Sequence, residues 1–94
     1  MFYEPDSLLR LSWESAMIRL GGKVISCEDA GKFSSATKGE KLADTIRIVS
    51  GYANIIVLNH SDIKMLKDFG VPVIDAKSGK DIFFNMKILY TKLI

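Results

Sequence analysis

The residues best placed to do chemistry stand near the start of the chain, in the stretch FYEPDSLLRLSWESAMIR that begins at Phe2. Two aromatic residues favour a β-strand there, and Pro5 ends it. Asp6 or Ser7 can then cap a helix. Because the first turn of a helix presents unpaired N–H groups and the positive end of the helix dipole, this position can hold an anion.

Segments that favour strands alternate with segments that favour helices along the chain. Helices are predicted at about 7–20, 39–51, 61–69 and 82–93. After the strand at the start of the chain, further strands are predicted at 23–27, 54–59 and 71–75. This alternation predicts an α/β fold with right-handed crossovers and a parallel sheet of about four strands, covered by helices on both faces. Ligands of such sheets bind beyond the carboxyl ends of the strands.

Apolar spacing indicates which parts of these elements are buried. The first helix carries apolar residues at helical spacing, and its apolar face is widened by Leu8, Leu11 and Ile18. We therefore expect this helix to be well buried. The predicted strand 23–27 is a short apolar run of the kind that a parallel sheet covers on both faces. It ends at the single cysteine, Cys27, which we expect to be a buried apolar residue. Ser61 and Asp81 are the expected caps of the last two helices.

Two long stretches of the chain are specific enough to point to a family. One is FYEPDSLLRLSWESAMIRLGGKVIS, and the other is SSATKGEKLADTIRIVSGYANIIVLNH. They resemble the carbamoyl-phosphate domain of aspartate carbamoyltransferases, whose first motif reads Glu-Pro and then Ser-Thr-Arg-Thr-Arg, and whose second is a Ser-x-x-x-Lys-Gly-Glu loop before Leu-Ala-Asp-Thr. The resemblance is clear over residues 2–76. It implies that family's fold, carbamoyl phosphate or phosphate as the ligand, a role in pyrimidine biosynthesis and a homotrimer.

The resemblance also implies a set of substrate-binding residues. The positions that match the family's motifs are Ser7, Arg10, Ser34, Lys38 and His60. In the family, the loop that carries the matching serine and lysine reaches into the neighbouring subunit. Each position also has a structural interpretation: Arg10 can pair with Glu14 four residues later, and His60 can be a capping or packing residue.

The sequence departs from the family at residues that the family uses for chemistry. Asp6 stands in place of the first serine of the motif, and Leu8 in place of an arginine that binds the phosphate. Asn59 replaces the arginine that polarises the carbamoyl oxygen, and Phe-Phe-Asn-Met at 83–86 replaces His-Pro-Thr-Gln. Carbamoyl transfer depends on such groups to position two anionic substrates and to stabilise developing charge. We therefore assign no catalytic residue.

Three functional hypotheses follow. The preferred one is a truncated or remodelled carbamoyltransferase-like domain without catalysis, a folded and self-associating unit in which residues 1–94 form one domain that is incomplete at both ends relative to the family. The alternatives are an anion-binding module, or a fragment of an active aspartate carbamoyltransferase whose missing aspartate domain comes from a second chain. Apolar residues have replaced substrate contacts at Leu8, Leu9 and 82–84. We expect the last helix or a second copy of the chain to cover them.

Composition limits the other classes of function. The 94 residues are 48% hydrophobic and 26% charged, as in an ordinary globular domain. The net charge of +2 and the scattered lysines do not favour nucleic-acid binding. Apolar runs are too short for a membrane span, no signal peptide is recognisable, and we expect a cytoplasmic protein. One cysteine excludes an internal disulfide and a multi-cysteine metal site, and we expect no cofactor.

Overall fold

A computed structural model describes residues 1–2, 6–27, 42–60 and 70–93. In these ranges the elements, in chain order, are α1 (Ser7–Arg19), α2 (Leu42–Val49), β1 (Ile56–Leu58), β2 (Val73–Asp75), a 3₁₀ helix (Ala76–Ser78) and α3 (Ile82–Leu93). The predicted positions of α1, α2 and α3 are confirmed to within a few residues. The helix predicted at 61–69, with its expected cap Ser61, lies outside the described residues, as does the start of the helix predicted at 39–51.

The two strands form a parallel sheet, with Ile56 opposite Val73 and Leu58 opposite Asp75. The start of the chain lies on the other side of β1, because Phe2 and Asn59 form a parallel bridge. The Phe2 N–H in turn donates to the Cys27 carbonyl oxygen over 2.9 Å. The predicted parallel α/β architecture is thus confirmed, whereas only two regular strands are present in the described ranges and the number of four is not confirmed.

Helices cover both faces of this sheet, as predicted. On one face, α1 and α3 pack Trp13, Ala16 and Leu89 against Ile74 of β2. On the other face, Ile46 of α2 packs against alternate residues of β1, which are Ile56 and Leu58. Successive strand residues point to opposite faces, so a run of apolar residues in β1 is buried on both sides.

Two predictions about burial are wrong. Leu8, Leu11 and Ile18 of α1 are exposed, because the sheet and α3 cover one side of this helix while these side chains project from another. Residues 22–27 form no regular strand, and Ile25 is 88% exposed rather than covered on both faces. Cys27 is half-buried, so its expected burial is only partial.

The C-terminal helix begins where the sequence predicts. Asp81 caps α3, because its Oδ1 accepts a hydrogen bond from the Phe84 N–H over 2.8 Å. Asp75 starts the preceding 3₁₀ helix in the same manner, with its Oδ1 3.0 Å from the Lys77 nitrogen. None of the helices in the described ranges is long and apolar enough to cross a membrane.

Candidate functional site at the start of helix α1

The N-terminus of α1 is capped by the side chain of Asp6. Its Oδ1 accepts a hydrogen bond from the Leu9 N–H over 3.1 Å, and its backbone oxygen accepts from the Arg10 N–H over 2.9 Å. A carboxylate is stabilised here both by the unpaired amides of the first turn and by the helix dipole. The predicted cap is therefore confirmed, and the carboxylate uses an amide that could otherwise face an external anion.

The Arg10 guanidinium is held between two other side chains. Its Nη1 lies 3.6 Å from Glu14 Oε2, which confirms the predicted pair at i and i+4. The same Nη1 donates to Ser26 Oγ over 3.1 Å, and Ser26 Oγ donates to Glu14 Oε2 over 2.6 Å. The three groups form a closed, partly buried ring of contacts. Arg10 thus ties α1 to the segment 22–27.

Ser26 is a partner that the sequence analysis missed. It lies 12 residues from Glu14, so no helical spacing relates the two. Only the position of Ser26 at the end of an apolar segment, near the edge where ligands bind, could have drawn attention to it.

Two further residues of the first turn are open to solvent. Ser7 is exposed, and Leu8 is 82% exposed. The leucine side chain carries no charge and donates no hydrogen bond, so it cannot attract an anion to this place. Of the residues near the helix start, Asp6 therefore has a well-defined polar role and Leu8 has none.

His60 lies at the same edge of the sheet as the entry to α1. It follows Asn59, whose backbone N–H donates to the Met1 carbonyl oxygen over 2.9 Å. Because the segments at Phe2 and Asn59 run parallel, both are directed towards the same edge of the sheet. His60 is half-buried there, while Asn59 is almost fully buried, at 2% exposure.

The remaining predicted site residues are Ser34 and Lys38. Both lie in 28–41, outside the described residues. The structure accordingly brings together Ser7 and Arg10 on one helix and places His60 at the same sheet edge. The proposed roles of all five residues stay predictions.

The amino group of Met1 lies next to β1 and is partly buried. It donates to the Val57 carbonyl oxygen over 2.7 Å. Burial lowers the pKa of this amine from 8.0 to about 6, since removing a cation from water disfavours the charged form. The charges of Cys27 and Glu14 oppose that shift, and the Arg10 guanidinium adds to it.

Comparison with known proteins identifies a family that this chain matches. Residues 1–82 match the model of the aspartate/ornithine carbamoyltransferase, carbamoyl-P binding domain. The chain belongs to this family. The aspartate carbamoyltransferase of Arabidopsis thaliana, named as chloroplastic, is 52% identical over 83 residues, which are 84% of this chain and 21% of that protein.

Solved structures of the family share the fold. The catalytic subunit of aspartate transcarbamoylase from M. jannaschii superimposes with a TM-score of 0.69 at 51% identity, over 84% of this chain and 27% of that one. The aspartate transcarbamoylase of Trypanosoma cruzi, in complex with aspartate and phosphate, gives 0.67 at 38% identity, over 81% and 26%. This chain spans only about a fifth to a quarter of the length of these relatives.

Proposed function

We propose that this carbamoyltransferase-family chain is a remodelled carbamoyl-phosphate-type domain that does not catalyse carbamoyl transfer by itself and that associates with copies of itself. The observation that carries the proposal is the cap of α1. The Asp6 carboxylate occupies the helix start, 3.1 Å from the Leu9 nitrogen, where a phosphate of like charge would have to bind. Bringing two like charges together without a cation between them disfavours binding.

Among the described residues near the helix start, the cation Arg10 does not offset this repulsion. Arg10 is engaged by Glu14 and Ser26, and Leu8 presents an uncharged side chain to solvent. Removing one preorganised donor from an oxyanion site typically lowers the rate by about a hundred- to a thousand-fold. Two such losses would leave little catalysis, even with a second domain supplied.

Self-association is supported by apolar side chains on the surface. Leu8 is 82% exposed and Phe83 is 73% exposed, both at places where the family resemblance implies substrate contacts. A stable contact between copies needs about 1,000 Å² or more. Light scattering of the purified chain measures the mass of the particle in solution, which we expect to exceed that of one chain. A monomer at all concentrations would remove this part of the proposal.

A cytoplasmic location also stays a prediction, because relatives of the chain include a protein named as chloroplastic.

Calorimetric titration with freshly dissolved carbamoyl phosphate tests the loss of the anion site. We expect no saturable heat at ligand concentrations up to about 1 mM, where binding would be worth roughly 4 kcal/mol. The double variant Asp6→Ser, Leu8→Arg is the matched gain-of-function control. Serine is also a good cap, so this variant removes the repulsion while keeping the helix start.

The same titration decides between the hypotheses. Saturable heat from the unmodified chain would contradict the proposal, and its loss in Lys38→Ala would establish the anion-binding module instead. Formation of carbamoyl aspartate on addition of a second domain, lost in Lys38→Ala, would establish the fragment of an active enzyme.

A further inference from the structure

The family model matches residues 1–82, so helix α3 lies beyond it except for Ile82, yet this helix supplies part of the core. Asn85 and Leu89 are both almost fully buried, at 0% and 1% exposure. Leu89 belongs to the same apolar cluster as Trp13 and Ala16 of α1. A loosely appended tail would not bury two side chains on one helical face, so α3 is an integral layer of the domain.

The Asn85 side chain joins three segments. Its Oδ1 accepts a hydrogen bond from the Lys80 N–H over 3.0 Å, and its Nδ2 donates to Ser12 Oγ over 3.1 Å. Ser12 Oγ in turn donates to the Leu9 carbonyl oxygen over 2.7 Å. Since a buried amide that loses a partner is costly, this chain of bonds favours one axial position of α3 on α1.

The turn between β2 and α3 fits tightly into the same contact. Trp13 Nε1 donates to the Ala76 carbonyl oxygen over 2.9 Å, and this bond is buried. A Cβ atom at Gly79 would lie 2.8 Å from Asn85 Oδ1 and 2.8 Å from Trp13 Nε1. The turn therefore passes directly against both side chains, and only glycine leaves room for it.

We propose that Asn85 fixes α3 on α1 within the same chain, so that α1, the 76–80 turn and α3 open and close as one unit. Ser12 of α1 is bonded to Asn85 of α3, and Ala16 and Leu89, which lie four residues further along each helix, belong to the same apolar cluster. This arrangement covers one side of α1, which is then unavailable to another domain or chain. The inference does not rest on the proposed function.

Native-state amide hydrogen exchange of the full chain tests this unit. In Asn85→Ala, we expect the protection of amides in α1 and α3 to fall together, by roughly ten- to a hundred-fold, as expected for loss of buried hydrogen bonds. Tyr90→Ala is the matched control, because Tyr90 lies on the same helix, is 56% exposed and has no part in the proposed self-association. It should leave protection in α1 unchanged.

A second variant keeps the test decisive if Asn85→Ala does not fold. Ser12→Ala removes one of the bonds with little change of volume and should lower protection in both helices by a smaller, equal factor. Faster exchange in α3 with unchanged protection in α1 would overturn the proposal, since α3 would then be an independent helix.

Discussion

The buried amino group of Met1 should make the stability of the chain depend on pH in a calculable way. Its pKa is about 6 in the folded protein and 8.0 when exposed. Between these values the unfolded chain binds more protons than the folded one, so the free energy of unfolding rises with pH. A difference of two pKa units corresponds to about 2 to 3 kcal/mol, gained between pH 6 and pH 8 and absent below pH 6.

Urea unfolding at a series of pH values, followed by the fluorescence of Trp13, measures this dependence. The matched control is the same chain with an acetylated amino group, which keeps an N–H to donate to the Val57 carbonyl oxygen but cannot take up a proton. The two proteins share every other titrating group, so the difference between their curves isolates the amine. Identical curves for the two would refute the assignment of the buried amine as the source of the pH dependence.

Three substitutions test the packing and the helix cap by urea unfolding. Gly79→Ala places a methyl group 2.8 Å from two side chains and should lower the free energy of unfolding by about 1 to 3 kcal/mol. Gly51→Ala is its control and should cost less, because the added methyl group comes only within 3.2 Å of a carbonyl oxygen. Equal costs would contradict the tight fit at Gly79. Ile46→Ala opens a cavity in the second core and should cost about 2 to 5 kcal/mol, against under about 0.5 kcal/mol for the 61% exposed Ile48 on the same helix. Asp6→Ala should cost about 1 kcal/mol through the lost cap, and Asp6→Ser should restore most of it; no loss in the alanine variant would show that the cap does not stabilise α1.

Local rules predicted the helix starts well. Asp6 and Asp81 each precede a helical apolar pattern, and each caps its helix through the backbone N–H three residues later. Such caps depend only on neighbours in the sequence, so they can be identified from it. The alternation of strand and helix segments likewise predicted the parallel sheet and its two covered faces.

Features that depend on distant partners were not predictable in the same way. Ile25 stands in an apolar segment but is exposed, because neighbouring elements and not the residue type decide what covers a strand face. Asn85 is a polar residue within the largely apolar sequence IFFNMKIL, and its partner Ser12 lies 73 residues earlier in the chain. A lone polar residue on an apolar helix face was the available signal, but it does not identify the partner.

The candidate site was predicted in part for the same reason. The Arg10–Glu14 pair follows from helical spacing and is present, whereas the contact of Arg10 with Ser26 requires the fold. The alternating pattern of strands and helices gives the direction of each strand in a parallel sheet. The positions of Ser7 and His60 near one sheet edge could therefore be predicted. Strand direction alone does not give the orientation of a side chain at that edge.

Asp6, which stands in place of the serine of the family motif, has opposite effects on anion binding and on stability, so the proposed loss of the anion site would leave the fold intact. A carboxylate at the cap repels a bound phosphate, but it accepts the Leu9 N–H and is favoured by the helix dipole. The helix start therefore keeps a partner for the Leu9 amide in the absence of any bound anion. Because serine and aspartate cap about equally well, exchanging them should alter anion binding with little change in stability. The Asp6→Ser, Leu8→Arg variant thus separates the two effects, since a gain in binding at unchanged stability would come from the anion site alone.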